Sequence, residues 1–317
     1  TGATSTTVTI EHRVVNITVN SSFSGSATPL EGVTIYLFSG AGSYLGQSQT
    51  TGSGGVGTFD VPGQEYKVRA DYLGQSYWSA AFNWTDGTVT VPLGDAAVTV
   101  GRSGAGIGNV PVYAFSTSNA YLGITANTDQ GGLKTFRLPA GSYKFRADYQ
   151  GSQYWSSETV VVADQSVAAS VNTGGGSFTL TVRKGESVPL AGVSCYVFQD
   201  TGSYIGLSGT TDSAGQVSFD LSDGNYKIRV DYLGAQFWTE VIGVPEAMSY
   251  TRTIPHQNVT VTVNGALGSD VQAKNHVPVY VFSPSGSYLS LSAYTNAEGQ
   301  ATFSLPEIPV KVRADYL

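Results

Sequence analysis

Apolar and polar residues alternate with a period of two through one stretch that recurs four times. It reads Tyr66-Lys67-Val68-Arg69-Ala70-Asp71-Tyr72, then Tyr143-Lys144-Phe145-Arg146-Ala147-Asp148-Tyr149. It returns as Tyr226-Lys227-Ile228-Arg229-Val230-Asp231-Tyr232 and as Val310-Lys311-Val312-Arg313-Ala314-Asp315-Tyr316. A period of two predicts a β-strand with unlike faces. Tyr66, Val68, Ala70 and Tyr72 share the face expected to meet a core, and Lys67, Arg69 and Asp71 share the other.

Shorter alternating runs surround this strand. In the first repeat they predict strands over residues 14–19, 33–38, 44–51, 57–61, 66–72, 77–83 and 88–91, separated by Gly and Ser clusters that suit turns. Thr85-Asp86-Gly87 reads as a hairpin turn between the last two. No run of helical period interrupts the pattern. Seven short strands with turns between them predict a β-sandwich.

The repeated arginines stand at 69, 146, 229 and 313, so the repeat lengths are 77, 83 and 84 residues. Inside each repeat the distances hold. Phe38 to Tyr44, Phe115 to Tyr121, Phe198 to Tyr204 and Phe282 to Tyr288 are each six residues. Asp71 to Trp78, Asp148 to Trp155 and Asp231 to Trp238 are each seven. A block of fixed length with variation confined to its ends predicts packed modules in tandem. The predicted modules are residues 13–91, 92–176 with a Gly-rich linker, 177–256 and 257–317. Pro92-Leu93-Gly94-Asp95 and Ile254-Pro255-His256-Gln257 read as short stiff connections, and 172–176 as the flexible one, which favours a rod over beads on a string.

The two ends depart from the plan. Residues 1–12 hold Thr7, Val8, Thr9 and Ile10, which resemble the last strand Thr88-Val89-Thr90-Val91 of the first repeat. The fourth repeat reaches Tyr316 without the Trp-bearing strand and the one after it. Two expectations follow. Either the sequence is a window on a longer repetitive chain, or the spare strand of one molecule completes the deficient sandwich of another through an open sheet edge.

Composition narrows the function classes. The 317 residues include 39 Gly and 19 Tyr, only 12% are charged, and the net charge of −7 argues against general nucleic-acid binding. No apolar run is long enough to span a membrane. The single Cys195 takes the place of Ile35, Val112 and Val279 in its repeat, so it reads as a small buried apolar residue.

The middle of each repeat resembles a widespread sandwich family. Thr128-Asp129-Gln130-Gly131 leads to Phe136-Arg137-Leu138-Pro139-Ala140-Gly141-Ser142-Tyr143, and Thr211-Asp212-Ser213-Ala214-Gly215 leads to Phe219-Asp220-Leu221 and Gly224-Asn225-Tyr226. This pattern is similar to the transthyretin-like, carboxypeptidase-regulatory-like and collagen-adhesin B-type domains of bacterial and archaeal surface fibres. The resemblance implies an all-β fold, a tandem array of four Ig-like (transthyretin-like) β-sandwich domains with the last one incomplete. It also implies an extracellular or cell-surface setting in stalks, pili or adhesins. Adhesin B-type domains often carry a Lys–Asn isopeptide bond. The first strands here offer Val98-Thr99-Val100, Leu180-Thr181-Val182 and Val261-Thr262-Val263 with no recurring lysine, so that bond is not carried over.

Candidate chemistry is sparse. His12, His256 and His276 match no common position across the repeats, which gives neither a triad nor a metal cluster a footing, and no enzyme and no cofactor are expected. His12 and His256 fall in inter-repeat connections and read as exposed. Lys67, Arg69, Lys144, Arg146, Lys227, Arg229, Lys311 and Arg313 are half of the 16 cationic side chains. They form either a basic ladder for an anionic polymer or a structural device, with each Arg paired to Asp71, Asp148, Asp231 or Asp315 and stacked on the following Trp. The structural reading is favoured. Trp78, Trp155 and Trp238 follow Tyr77, Tyr154 and Phe237, so one ring of each pair should enter the core and the other cover the opposite face or stack on sugars. Asp71, Asp129 and Asp212 suggest a calcium cage, but Gly52 and Asn296 break its recurrence. Asn16, Asn20, Asn83 and Asn258 open glycosylation sequons. The expected partners are further copies of the chain, head to tail, or adjacent repeats of a longer one, with surface glycans as the alternative.

Overall fold

Alternation becomes strand wherever it is sustained. A computed structural model of the chain describes residues 4–316, and no helix occurs among them, so no helix there is long and apolar enough to cross a membrane. The chain divides into two compact units. Among the described residues, one holds 4–149 with 153–173, and the other holds 150–152 with 174–316.

In the first unit, the opening sandwich has one sheet in the order Tyr44–Thr50, Thr34–Ser39, Tyr66–Tyr72, Gln75–Trp78, all antiparallel. Tyr66, Val68 and Ala70 are sealed from water while Lys67, Arg69 and Asp71 face outward, as the period demands. The facing sheet is built on His12–Phe23, which pairs antiparallel with Val56–Pro62 and parallel with Gly87–Arg102. Val15, Ile17, Val19, Val89 and Val91 supply its half of the core. This parallel pairing differs from the expected hairpin at Thr85-Asp86-Gly87. Phe82 bridges back to Tyr66 on one sheet, and the chain then crosses to the other, where Val89 and Val91 are buried. The predicted strand over 77–83 shortens accordingly to Gln75–Trp78.

The strand Gly87–Arg102 continues without a break into the next sandwich. Its second half pairs with Leu133–Pro139 and, in parallel, with Ser166–Asn172. Residues 92–95, which read as a connection, are therefore strand. Gly94 is required there because a Cβ would collide with the Val162 carbonyl. The second sandwich core lies between Val98, Val100 and Leu138 on one side and Val112, Phe145 and Ala147 on the other.

The second unit repeats the plan. Gly176–Lys184 pairs with Gln216–Leu221 and in parallel with Ser249–Ile254, facing the sheet Tyr204–Thr210, Ser194–Gln199, Gly224–Tyr232, Ala235–Trp238. After Pro255 alone, His256–Thr262 begins the last sandwich. There it pairs with Gln300–Pro306, while Tyr288–Tyr294, Pro278–Phe282 and Lys311–Ala314 form the facing sheet. That core is smaller, and Val312 is 46% exposed where Val68, Phe145 and Ile228 are fully buried. Thr7, Val8, Thr9 and Ile10 have strand-like sequence but no strand pairing, and they are exposed.

Candidate functional site: an aromatic and cationic outer face

Unusual side chains recur from sandwich to sandwich on the outer face of the sheet containing the repeated motif. Register explains the assembly. Tyr36 lies opposite Arg69, Arg69 opposite Trp78, and Phe38 opposite both Lys67 and Tyr44. Strand neighbours on one face are close enough to touch.

Arg69 and Asp71, two residues apart on that face, pair with Nε–Oδ1 at 3.0 Å. The same pair forms at Arg146–Asp148 (2.8 Å), Arg229–Asp231 (2.9 Å) and Arg313–Asp315 (2.8 Å). Each guanidinium also lies over rings of the neighbouring strand. Arg69 is 4.8 Å from the Tyr36 centroid and 5.5 Å from Phe38. Arg229 sits 4.6 Å from Tyr196, and Arg313 5.2 Å from Tyr280. Among the described residues the expected stacking of Arg on Trp occurs in the second sandwich, at a longer distance than the Tyr contact. Arg146 reaches Trp155 only at 5.8 Å, while Tyr113 is at 4.7 Å. The Asp on its own strand and the Tyr on the adjoining strand are the nearer partners of each guanidinium. Trp78, Trp155 and Trp238 pack instead on Phe38, Phe115 and Phe198 at 4.8–4.9 Å between centroids. Tyr44, Tyr121 and Tyr204 flank the same phenylalanines, and Tyr288 flanks Phe282 in the last sandwich.

The division of each aromatic pair follows the alternation. Tyr77, Tyr154 and Phe237 pack against the cores, and the tryptophans stay 47%, 40% and 37% exposed. Burial pushes the Tyr77 phenol up to about 12, with the nearby Tyr72 adding to it. The lysines are less committed, although Lys144 Nζ donates to Asn119 Oδ1 at 3.2 Å. Since each Arg charge is matched by an Asp, the lysines alone carry the net positive charge of this face.

Other candidate residues have local tasks. Asp129 Oδ1 accepts the Gly131 and Leu133 amides, and Asp212 Oδ1 accepts those of Ala214 and Gln216. Asn296 Oδ1 takes the Gln300 amide at 2.8 Å, so an uncharged side chain serves the same turn. Among the described residues no group of three or more His, Cys, Asp or Glu is placed to hold a metal. Cys195 is fully buried, and burial, with the Asp231 charge behind it, pushes its thiol up to about 12. His12 is exposed, 3.5 Å from Asp60. His256, expected to be exposed, is half-buried against Tyr232, its Nδ1 2.9 Å from the Ile254 carbonyl, and burial pulls its pKa down. His276 stacks on Tyr294 at 4.4 Å. Asn16, Asn83 and Asn258 are exposed, and Asn20 is half-buried at the centre of its sheet.

Two recurring devices escaped the sequence reading. Thr51, Thr128, Thr211 and Thr295 are buried. Each hydroxyl donates to a loop carbonyl (Leu30, Ile107, Leu190 or Lys274) and accepts the amide of Val33, Val110, Val193 or Val277. They are spaced like the arginines, which was the available signal. The second device is a tyrosine corner, a phenol bonded back to the chain just upstream. Tyr66, Tyr143 and Tyr226 donate to the carbonyls of Pro62, Pro139 and Ser222. Val310 stands at that place in the fourth repeat. Tyr143 also accepts from Gln75 Nε2 at 2.8 Å, which ties the first sandwich to the second within the first unit.

Comparison with known proteins gives fold-level likeness. No protein-family model matches the chain, and no curated protein matches it. Among solved structures it is similar to the TIE protein of Bacillus anthracis (11% identity, TM-score 0.27), covering 99% of this chain and 71% of that one. It is similar to a minor pilin of Streptococcus agalactiae (14%, TM-score 0.33), covering 50% and 94%. It is also similar to two B repeat units of the collagen-binding protein of Staphylococcus aureus (14%, TM-score 0.24), covering 97% and 93%. At such identities and scores, function has to be read from the chain's own side chains.

Proposed function

We propose that the chain is a structural subunit or segment of an extracellular fibre or surface stalk, and not an enzyme. The observation that carries this is the strand Gly87–Arg102, which closes one sandwich and opens the next with no loop between them. A joint of that kind resists bending and pulling because both sheets must lose ladder hydrogen bonds before the chain can hinge. The recurring Arg, Asp and Trp side chains support the same reading, since they contact partners within their own sandwich. The proposed modules are residues 13–91, 92–176, 177–256 and 257–317. Further copies of the chain, or adjacent repeats of a longer one, are the proposed partners, with strand exchange as the means of joining. Asn16, Asn83 and Asn258 are the sequons placed to carry surface glycans.

A second reading, a repetitive adhesin or carbohydrate-binding array, is favoured by one observation. Trp78, Trp155 and Trp238 leave a substantial ring surface in solvent beside exposed tyrosines, and such rings suit flat sugar faces. Electron microscopy of the purified chain together with a glycan array separates the two. Uniform filaments without glycan binding support the structural reading. Single short particles that bind glycans through the tryptophans overturn it.

A further inference from the structure

On the outer face of the second sandwich a ring, a cation and an amide converge on one recess. Trp155, Lys144, Asn119 and Ser156 border it, and all four belong to the first unit. Register explains the meeting. Lys144 lies opposite Phe115, and Trp155 packs on the same Phe115 at 4.8 Å between centroids. Ser156 makes a fixed floor. It is buried, and its Oγ accepts the Phe145 amide at 2.9 Å and donates to the Ser157 carbonyl at 2.7 Å.

The other three side chains keep binding capacity to spare. Trp155 is 40% exposed. Lys144 Nζ donates to Asn119 Oδ1 at 3.2 Å. That acceptor is neutral, so the ammonium keeps its charge, whereas Arg146 on the same strand is paired with Asp148 at 2.8 Å. With Oδ1 engaged, Asn119 offers Nδ2 as a donor.

Asn119 also departs from the repeat. Gly42, Gly202 and Gly286 stand two residues before Tyr44, Tyr204 and Tyr288, at φ of 91°, 96° and 93°. Asn119 stands two residues before Tyr121 and holds a left-handed φ of 63°. Glycine takes such a conformation without strain, and Asn is one of the few other residues that visit it. The turn therefore has no need of Asn. What Asn119 adds is an amide beside Lys144, which the glycines of the other sandwiches cannot supply.

We infer that this recess binds a uronate unit of an acidic glycan. The C–H face of the sugar stacks on Trp155, Lys144 pairs with the carboxylate, and Asn119 Nδ2 donates to a hydroxyl. A recess of about 260 Å³ is smaller than the roughly 300–1,000 Å³ of drug-sized pockets, which suits one sugar ring. Tyr121, 48% exposed, flanks Phe115 from the opposite side in the strand order and offers a second ring to the next unit. A neutral sugar would leave the Lys144 charge unanswered, and an acidic peptide would bring charge without a flat face for the indole. The inference names the ligand class for the carbohydrate-binding reading and rests on it, and a fibre segment can carry such a site.

The test is calorimetry on the full chain with a galacturonate hexamer, a neutral galactose hexamer and poly-glutamate. The galacturonate hexamer is expected to bind about tenfold or more tighter than the other two, and less tightly as salt rises. Lys144→Gln should abolish that preference. Asn119→Gly installs the residue of the other three sandwiches, so it should fold normally and weaken galacturonate by about threefold to tenfold. Lys67→Gln and Lys227→Gln should change it by less than about twofold. Equal losses from all three lysine variants, with Asn119→Gly silent, would mean diffuse charge attraction and overturn the site. Poly-glutamate binding as tightly as galacturonate would overturn the sugar as ligand. Equal binding of the two hexamers, lost in Trp155→Leu, would sink the acidic class and leave the carbohydrate-binding reading standing. Binding of neither hexamer would sink both.

Discussion

The bond from Gln75 to Tyr143 offers a measurable test of how adjoining sandwiches are coupled. Tyr143 is buried, donates to the Pro139 carbonyl at 2.9 Å and accepts from Gln75 Nε2 at 2.8 Å. Tyr66 provides an internal control. It occupies the same corner, with its hydroxyl bonded to Pro62 at 2.9 Å and no amide from a neighbouring sandwich among the described residues. Tyr66→Phe removes one neutral hydrogen bond and should cost about 1 kcal/mol. Tyr143→Phe removes two and leaves the half-buried Gln75 amide to find water, so roughly 1.5–2.5 kcal/mol is expected. A double-mutant cycle with Gln75→Met should give a coupling of about 0.5–1.5 kcal/mol.

A multi-domain chain need not unfold in one step, so the readout has to be local. Hydrogen exchange of the Gly141–Tyr149 amides supplies it. About 1 kcal/mol corresponds to roughly a fivefold loss of protection. Single effects that simply add, with no coupling beyond error, would show that the Gln75 contact does not hold the two sandwiches together. Tyr66→Phe costing as much as Tyr143→Phe would point the same way.

Three further outcomes are expected. With 40% of its surface exposed, Trp155 keeps roughly 150 Å² out of water, so Trp155→Ala should lower stability by about 2–3 kcal/mol after allowance for a compact unfolded chain. Unchanged stability with loss of glycan binding would instead favour the adhesin reading. Thr211→Val keeps the shape but orphans the buried Val193 amide, so denaturation should register a loss of about 2–4 kcal/mol, against about 1 kcal/mol or less for Thr211→Ser. The folded state holds Tyr77 neutral up to a pKa of about 12, and Tyr143 is shifted the same way by burial. A raised folded pKa gives stability that is intact below the unfolded value of 10 and lost as pH rises through the folded value. Circular dichroism followed with tyrosinate absorbance should therefore show unfolding above pH 10 that releases late-titrating tyrosines. Smooth titration of all tyrosines near pH 10 without unfolding would refute that assignment.

Much of this fold was legible because strand alternation is local. The faces of Tyr66–Tyr72 and the division between Tyr77 and Trp78 follow directly from side chains pointing alternately up and down. Pairing partners are not local. Asp86-Gly87 has hairpin chemistry, but the choice between turning back and crossing over is made where Val89 and Val91 find a core, beside Val19 and Ser21 of a strand some seventy residues earlier. Pro92 and Gly94 mark a break in most sequences. Here Pro92 sits where the strand leaves one set of partners for the next, and Gly94 lets the Val162 carbonyl come close. The buried threonines were hidden for another reason. The acid beside Thr128 and Thr211 drew attention as a candidate ligand, although the hydroxyl is the buried group and the acid only shapes the turn.

Sharing a strand also explains how sandwiches this small stay folded. A module of about 80 residues buries little more than 60% of its unfolded surface and is marginal alone. In the first unit Val89 and Val91 close one core, and Ala96 and Val98, a few residues on, open the next. Unfolding either sandwich strips ladder bonds from the strand that anchors the other. In the last sandwich His256–Thr262 pairs with Gln300–Pro306 alone among the described residues. Val259 and Val261 are half-buried there, Val312 is 46% exposed, and the described core centres on Val279, Val281 and Phe303.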